Sequence, residues 1–315
     1  MEEKDYYSIK RVSSSSLSWF EKSPKFFRMM LDKEIEEENP FIFEKGTMVH
    51  SFILEPEEFE KNYVFLDYEI PKSSQQKEFC DHIARYKSGT KSEILLRAYK
   101  DCYTSKEKDE VLLEKAENLA NTYKDYIKSI KLSTVKKVLS KSVEKKLYEI
   151  RSKLYEHKVT YNLLYNYVPT LEIYNEYPIL WEYTNGVECK SMLDRVIVDP
   201  VNKKITIVDL KTSSSFNEFE QKFIDYKYYR QLAFYYWAIH NKFNVPYNGY
   251  KIDCFVVAIN MKEPTEIKVF NVSEDTLKKG FKEIDTLMEQ LKWHYNTNQW
   301  EYTKDYYEGS GTITI

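Results

Sequence analysis

The sequence has few glycines and prolines and no long apolar run. It contains only 7 Gly and 9 Pro in 315 residues, which excludes a collagen-like or low-complexity chain. No segment reaches the roughly 18 to 20 apolar residues that span a bilayer, and no apolar run follows a basic N-terminus. We therefore expect a folded cytoplasmic protein with no membrane partner.

The sequence also has few cysteines and no net positive charge. Cys80, Cys102, Cys189 and Cys254 are dispersed without a C-x-x-C pair, which argues against a structural zinc, an iron–sulfur cluster and a disulfide framework. The net charge is −3 and the pI is near 6.1. A contact with nucleic acid would therefore depend on a local basic patch, since the field of the whole molecule does not attract DNA.

Helical patterns occupy the first half of the chain. Serines 13–16 precede an apolar helix that Ser23 and Pro24 should end, and Pro24 should begin a second helix. Gly46–Leu54 has helical spacing, and Glu55-Pro56 should end it. Residues 72–158 are rich in Lys, Glu, Leu, Ala and Tyr, a composition that predicts long helices.

The segment from Lys128 to Lys158 is strongly basic, with ten Lys or Arg against three Glu. Apolar residues at helical spacing should lie beneath those charges, namely Val135, Leu139, Val143, Leu147, Ile150 and Leu154. A solvated charged face is the ordinary interpretation. The alternative is a surface that binds the DNA backbone. Its candidate contacts are Lys136, Lys137, Lys141 and Lys145.

After residue 169 the pattern becomes strand-like. Residues 176–183, the turn Thr184-Asn185-Gly186 and residues 187–198 predict a β-hairpin. A third strand over 204–211 should be covered on both faces. A helix over 216–240, strands over 251–260 and 265–270, and a helix over 273–293 should follow. The predicted fold is mixed α/β (α+β), with a small mixed β-sheet flanked by helices and a large helical insertion.

Three charged residues on the predicted hairpin and third strand suggest a catalytic site. Asp209 and Lys211 are two apart and share one face of their strand, and the preceding strand can bring Asp194 beside them. A salt-bridged sheet edge is the ordinary explanation of Asp-x-Lys. Two carboxylates with one ammonium are also the groups that hold a divalent metal against a phosphodiester.

Two further pairs strengthen the catalytic interpretation. Gln231 and Tyr235 are four apart on a predicted helix, so they lie on the same face. Upstream, Gly46 and His50 have the same spacing. In this order the residues resemble those of the PD-(D/E)xK nucleases, the RecB-like branch in particular. The phrases Gly46–Phe59 and Val208–Thr212 are similar to the phage recombination exonucleases of the exodeoxyribonuclease VIII (RecE) type. The resemblance runs from about residue 13 to residue 259 and is weak over 63–167.

The resemblance implies a restriction-endonuclease-like core and a role for each matching residue. Asp194, Asp209 and the backbone carbonyl of Leu210 should coordinate one or two Mg²⁺ ions, for which Mn²⁺ can substitute. His50 should bind the metal or the phosphate. Glu176 should be an additional catalytic acid, with an ordinary strand-end Glu as the alternative. Catalytic Gln231 should orient the attacking water or a phosphate oxygen, and catalytic Lys211 should hold or deprotonate the nucleophile and stabilise the transition state. Tyr235 should bind DNA, with a packing role as the alternative.

The implied activity is 5′ to 3′ digestion of double-stranded DNA from its ends, which leaves 3′ overhangs for a single-strand annealing partner. The implied setting is a bacterial or phage-encoded protein in the host cytoplasm, with a homo-oligomeric ring as a possible assembly. A restriction- or repair-type endonuclease on the same core, and a nuclease-fold protein that binds DNA without cutting it, remain as alternatives.

We expect one nuclease domain over residues 1–315. Its predicted parts are N-terminal helices over 1–62, a helical insertion over 63–167, the catalytic sheet and helices over 168–300, and a C-terminal tail over 301–315.

Overall fold

The computed structural model describes residues 3–35, 40–213, 215–309 and 311. The chain divides into two compact units. The sheet unit comprises Met1–Leu54 and Ile150–Ile315, and the helical unit comprises Glu55–Glu149. The helical unit thus begins and ends earlier than the insertion expected over 63–167. The expectation of a single nuclease domain stays a prediction.

Helices make up most of the described chain, and their bounds are as follows. They are α1 (Glu3–Ser8), α2 (Ser14–Lys22), α3 (Pro24–Leu31), α4 (Pro40–Leu54), α5 (Pro56–Asn62), α6 (Ser74–Arg85), α7 (Lys91–Cys102), α8 (Asp109–Thr122), α9 (Lys124–Leu132), α10 (Lys141–Glu156), α11 (Lys158–Leu164), α12 (Phe219–Asp225), α13 (Tyr228–Lys242), α14 (Val245–Asn248), α15 (Glu274–Thr297) and α16 (Lys304–Glu308). None of these helices, over the described residues, has the length and apolarity of a membrane span.

The strands form two sheets, one in each unit. They are β1 (Tyr63–Phe65), β2 (Lys137–Leu139), β3 (Glu172–Glu182), β4 (Glu188–Asp199), β5 (Lys204–Ser213), β6 (Lys251–Asn260) and β7 (Ile267–Asn271). The large sheet has the order β3-β4-β5-β6-β7, with β5 and β6 parallel and the other pairs antiparallel. The predicted small mixed sheet flanked by helices is confirmed.

The serines and the proline at the ends of the N-terminal helices cap and end these helices as predicted. The Ser13 hydroxyl accepts the Ser16 N–H, and the Ser16 hydroxyl in turn accepts the Ser13 N–H, so the two side chains cap α2 reciprocally. Ser23 ends α2 and caps α3, whose first residue is Pro24. Just before α2, Val12 pairs with Cys189 and anchors the segment to β4. The predicted break at Ser23-Pro24 is therefore confirmed.

The β3–β4 hairpin follows from its turn residues. Gly186 has a φ of +82°, which a glycine adopts without strain. The Asn185 side chain accepts the Val187 N–H at 3.2 Å and closes the turn. Next along the chain, β5 is buried over Ile205–Leu210, as expected of a strand covered on both faces.

The crossover from β5 to parallel β6 differs from the prediction of one helix over 216–240. Lys227 has a left-handed backbone with φ +54° and separates α12 from α13. Its ammonium is paired with Glu21 of α2 and lies 3.8 Å from Glu283 of α15. These long-range ion pairs, which the local helical pattern does not encode, accompany the break.

Helices α13 and α15 pack closely on one face of the sheet. A Cβ atom added to Gly280 would lie 2.7 Å from the Ala233 Cβ and 2.8 Å from the Tyr229 carbonyl oxygen. The two backbones therefore approach as only glycine permits. Behind α13 the core contains Ile205 and Ile207 of β5, both fully buried. This packing fixes the position of α13 over the sheet.

The helical unit has its own core around Phe79, Leu95 and Ala116. It also contains a feature that the sequence did not predict, the parallel pairing of β1 with β2. Because β2 interrupts the basic segment between α9 and α10, the predicted apolar stripe is wrong at its start. Val135 is 74% exposed, whereas Leu139 and Leu147 are buried.

Candidate active site where strands β4 and β5 separate

The ladder between β4 and β5 ends at the pair Arg195 and Val208. The next residues in register are Asp194 and Asp209. There the Leu210 N–H donates to the Asp194 carboxylate at 2.7 Å, so a side chain replaces a backbone acceptor. On its other edge β5 stays paired with β6 as far as Ser213. The strands thus open on one side only, and the opening brings the carboxylates of Asp194 and Asp209 close together.

Asp209 and Lys211 form a buried ion pair on the face of β5 that the two-residue period predicts. The Lys211 Nζ lies 2.9 Å from Oδ1 and 2.8 Å from Oδ2 of Asp209. The Asp209 side chain is only 1% exposed and that of Lys211 is 16% exposed. The pair is therefore largely out of water, and Lys211 is the more accessible of the two side chains.

Burial and neighbouring charge set the ionisation of this pair. Burial raises the pKa of Asp209 to about 6, with the Asp194 carboxylate adding to the rise and Lys211 opposing it. For Lys211, burial favours the neutral amine, but Asp209 and Asp194 outweigh it and raise its pKa above the ordinary value. Lys211 is consequently an ammonium at neutral pH.

His50, Glu176 and Asp194 form a group with the dimensions of a metal site. One ligand atom from each lies within 4.8 Å of the others. The His50 Nδ1 is 3.6 Å from Asp194 Oδ2 and 3.8 Å from Glu176 Oε1. Two carboxylates with one imidazole suit a hard or borderline divalent cation such as Mg²⁺ or Mn²⁺. The donor set therefore fits the divalent metal that the sequence predicted.

The grouping differs in composition from the predicted ligand set. His50 and Asp194 are in it, together with Glu176, which the resemblance marked as a catalytic acid. The carboxylate of Asp209 is paired with Lys211 instead.

The Leu210 carbonyl is the predicted backbone ligand. The N–H and C=O of one strand residue point to the same edge of the strand. The Leu210 carbonyl therefore faces the side on which its N–H meets Asp194.

Glu176 reaches the group from an unusual backbone. Its φ is +41° in the middle of β3, a left-handed conformation that costs a non-glycine residue about 1–3 kcal/mol. The ladder pairs Asn175 with Arg195 and Tyr177 with Leu193, and skips the intervening pair of Glu176 with Asp194. The two acidic residues that skip pairing are thus the two that contribute carboxylates to the group.

Asn175 links the three elements that carry these ligands. Its Oδ1 accepts from Arg195 Nη1 at 2.8 Å, next to Asp194 in the chain. Its Nδ2 donates to the Leu54 carbonyl at 2.7 Å, one turn after His50 on α4. Asn175 itself precedes Glu176. Neither Asn175 nor Arg195 is predicted as a site residue from the sequence, because their roles depend on strand register rather than on a local motif.

Helix α13 contributes Tyr235, which lies near the carboxylates of Asp209 and Asp194. The Gln231 Nε2 donates to the Tyr235 hydroxyl at 2.8 Å, so these residues share a face as predicted. Tyr235 is only 7% exposed. Burial and the carboxylates of Asp209 and Asp194 raise its pKa well above the ordinary value, which keeps the phenol neutral. Its predicted contact with DNA stays a prediction.

The four candidate DNA-binding lysines belong to the helical unit. Lys136 donates to the Glu60 carbonyl at 2.6 Å. Lys137, in β2, and Lys141 and Lys145, in α10, have exposed side chains. Their role on DNA stays a prediction.

Metal affinity should rise with pH. Metal binding requires ionised carboxylates and a neutral imidazole. Burial raises the pKa of Asp209 and of Asp194. For His50, burial opposes the imidazolium, but Asp194 and Glu176 raise the pKa overall. Raised pKa values mean that protons compete more strongly as pH falls. We expect the Kd for Mn²⁺, measured by calorimetry, to increase as the pH falls below these raised pKa values, by about tenfold per pH unit for each proton that the metal displaces. A Kd that is independent of pH would contradict this assignment.

Replacing Asn175 by Ala should weaken metal binding. The change removes the hydrogen bonds to Arg195 and Leu54 and thereby the link between the three ligand-bearing elements. We expect a loss of about 10- to 100-fold in Mn²⁺ affinity, and a smaller loss for Asn175→Asp, which keeps the acceptor for Arg195. Asn241→Ala is the control, because Asn241 also donates to a backbone carbonyl, that of Glu182. A lower Tm with unchanged Mn²⁺ affinity would show that Asn175 only stabilises the fold.

Among the comparisons with known proteins, a family match agrees with the fold. No curated protein gives a match. One similar solved structure is a "Putative exonuclease" from Eubacterium rectale, with 14% identity and a TM-score of 0.40 over 81% of this chain and 89% of that one. The family described as "PDDEXK-like domain of unknown function (DUF3799)" matches residues 13–304. Since that match spans most of the sequence, the chain belongs to this PDDEXK-like family and has the nuclease fold of the PD-(D/E)xK superfamily.

Proposed function

We propose that this protein is a metal-dependent deoxyribonuclease that degrades double-stranded DNA from its ends in the 5′ to 3′ direction. One observation carries the proposal: the group of His50, Glu176 and Asp194 lies beside the buried Asp209–Lys211 pair. A protein that only binds DNA has no need to keep acidic groups buried together at the cost of raised pKa values. Membership of the PDDEXK-like family is a second, separate observation that supports a nuclease.

Mg²⁺, or Mn²⁺ in its place, would be held by Asp194, His50 and Glu176, with Asp209 and the Leu210 carbonyl within the same opening. A bound divalent cation supplies a Lewis acid that lowers the pKa of a water molecule and offsets charge on the phosphate. The protein's own contribution is to fix the ligands. The Leu210 N–H orients Asp194, and the backbone of Glu176 is fixed by the strand pairs on either side of it.

Lys211 and Gln231 would act directly on the substrate. Because the pKa of Lys211 is raised by its carboxylate neighbours, it donates hydrogen bonds to the phosphate as an ammonium and stabilises charge in the transition state. This role suits its protonated state better than that of a general base. Gln231 has its Nε2 bonded to Tyr235, which directs its Oε1 as the acceptor that orients a water molecule.

We infer three features from the similarity of Gly46–Phe59 and Val208–Thr212 to exodeoxyribonuclease VIII-type enzymes. They are the preference for DNA ends, the polarity of digestion and the protein partner. We propose that the product is a 3′ overhang that a single-strand annealing protein then binds in recombination. A ring of identical subunits around the DNA, encoded by a phage or bacterium and acting in the cytoplasm, belongs to the same proposal.

The proposal predicts that Mg²⁺-loaded protein shortens linear duplex DNA and spares closed circles. Asp209→Asn should lower the rate by at least about a hundredfold, because it removes the charge that pairs with Lys211. Asp253→Asn is the matched control, since Asp253 pairs with Lys204 at 2.7 Å in an exposed position on the same sheet. Duplexes labelled at either 5′ or 3′ ends and resolved on a gel give activity and polarity together.

Each outcome of that assay is informative. Early release of the 5′ label supports 5′ to 3′ digestion, and early release of the 3′ label reverses the polarity. Cutting of closed circles would indicate an endonuclease. Full activity of Asp209→Asn would remove the proposed site.

The basic segment gives a separate prediction. If Lys141 and Lys145 bind phosphates of the DNA backbone, changing both to Glu should weaken binding equally for all sequences. The slope of log Kd against log salt concentration should fall by about one for each phosphate that is no longer bound. Lys278→Glu with Lys282→Glu is the control, because these exposed lysines have the same four-residue spacing on α15. Unchanged binding by anisotropy would leave the basic segment as a solvated face.

A further inference from the structure

Two tyrosines flank the break between α12 and α13 and lie next to the catalytic lysine. The Tyr228 ring centroid is 4.9 Å from the Lys211 Nζ, a cation–π distance. The Tyr226 ring centroid is 5.8 Å from that of Tyr228. Tyr228 is partly buried, whereas Tyr226 is 63% exposed. An aromatic surface thus extends from the Lys211 ammonium into solvent.

Ring packing and an ion pair hold this surface in place. Tyr228 packs against the rings of Phe219 and Phe223, at 6.4 Å and 6.1 Å. Lys227, between the two tyrosines, is anchored by its ion pair with Glu21. The segment is therefore a fixed turn, although it exposes a large aromatic ring. Ile224, two residues before Tyr226, is also 49% exposed.

We propose that Tyr226 and Tyr228 form a stacking surface for the nucleobase adjacent to the phosphate that Lys211 holds. The proposal rests on the proposed function, since it needs DNA in the site. A base is joined to its phosphate through a single sugar, so a phosphate at Lys211 brings a base to the neighbouring rings. Stacking accepts any base, because every base offers a π-face. The surface would hold an end of any sequence in register for cleavage.

A nucleobase fits this surface better than an apolar protein segment. The patch begins at the Lys211 ammonium, and an apolar segment has no anionic group that could bind an ammonium. A nucleotide suits both parts of the surface, because its phosphate pairs with the ammonium and its base covers the rings.

The test compares intact DNA with DNA that lacks one base. Duplexes carry an abasic site at one of the first three nucleotides of the 5′ strand, and binding is measured by anisotropy with Ca²⁺ replacing Mg²⁺. For the wild-type protein we expect one abasic position to weaken binding by about 5- to 150-fold, the range for one stacked base. Tyr226→Ala should bind intact DNA correspondingly less tightly and lose most of the abasic penalty. Tyr226→Trp should retain the penalty.

A second readout reports stacking directly. The fluorescence of 2-aminopurine at the sensitive position should fall further on binding to the wild-type protein and stay at its unbound intensity with Tyr226→Ala. Tyr302→Ala is the matched control, because Tyr302 is also exposed (48%) and lies beside another ring, that of Tyr306. It should behave as wild type in both assays.

The outcomes separate this inference from the proposed function. If the wild-type protein cuts DNA but the abasic penalty is the same in wild type and Tyr226→Ala, the stacking surface is refuted and the nuclease assignment stands. If the wild-type protein neither binds nor cuts DNA, both are refuted. Loss of the penalty in Tyr226→Ala together with its retention in Tyr226→Trp supports the stacking surface.

Discussion

The hydrogen bond from the Leu210 N–H to the Asp194 carboxylate is the interaction on which the site depends. It satisfies a buried backbone donor at the point where β4 stops pairing with β5, and an unsatisfied donor there would cost about 1–3 kcal/mol. The same oxygen, Oδ2, is the one that lies 3.6 Å from His50. One atom therefore ends the strand pairing and contributes to the candidate metal site. The opening of the sheet and the position of the ligand cannot vary independently.

The charges gathered in this opening are unfavourable for the fold without a cation. Burial raises the pKa of both Asp194 and Asp209, which means that their ionised forms destabilise the folded state relative to carboxylates in water. Lys211 offsets part of this cost through its pair with Asp209. A divalent cation bound by these carboxylates would offset more.

Local patterns predicted the framework of the site but not its fine geometry. The turn at Asn185 and Gly186 and the two-residue period of Asp209 and Lys211 are encoded by neighbours in the chain, and both are found as predicted. Glu176 and Asn175 are different, because a left-handed residue within a strand and a cross-strand hydrogen bond depend on register over some 20 residues. Nothing in the local sequence distinguishes Asn175 from an ordinary surface asparagine.

The break at Lys227 shows how such a non-local feature bears on function. In one continuous helix, Tyr226 and Tyr228 would lie about 200° apart around the axis and could not face one another. The left-handed Lys227 removes that restriction, and the two rings lie 5.8 Å apart. The ion pair of Lys227 with Glu21 anchors the turn to α2. An ion pair between distant helices thus accompanies the break that places this aromatic surface beside Lys211, and the helical periodicity of residues 216–240 gives no indication of it.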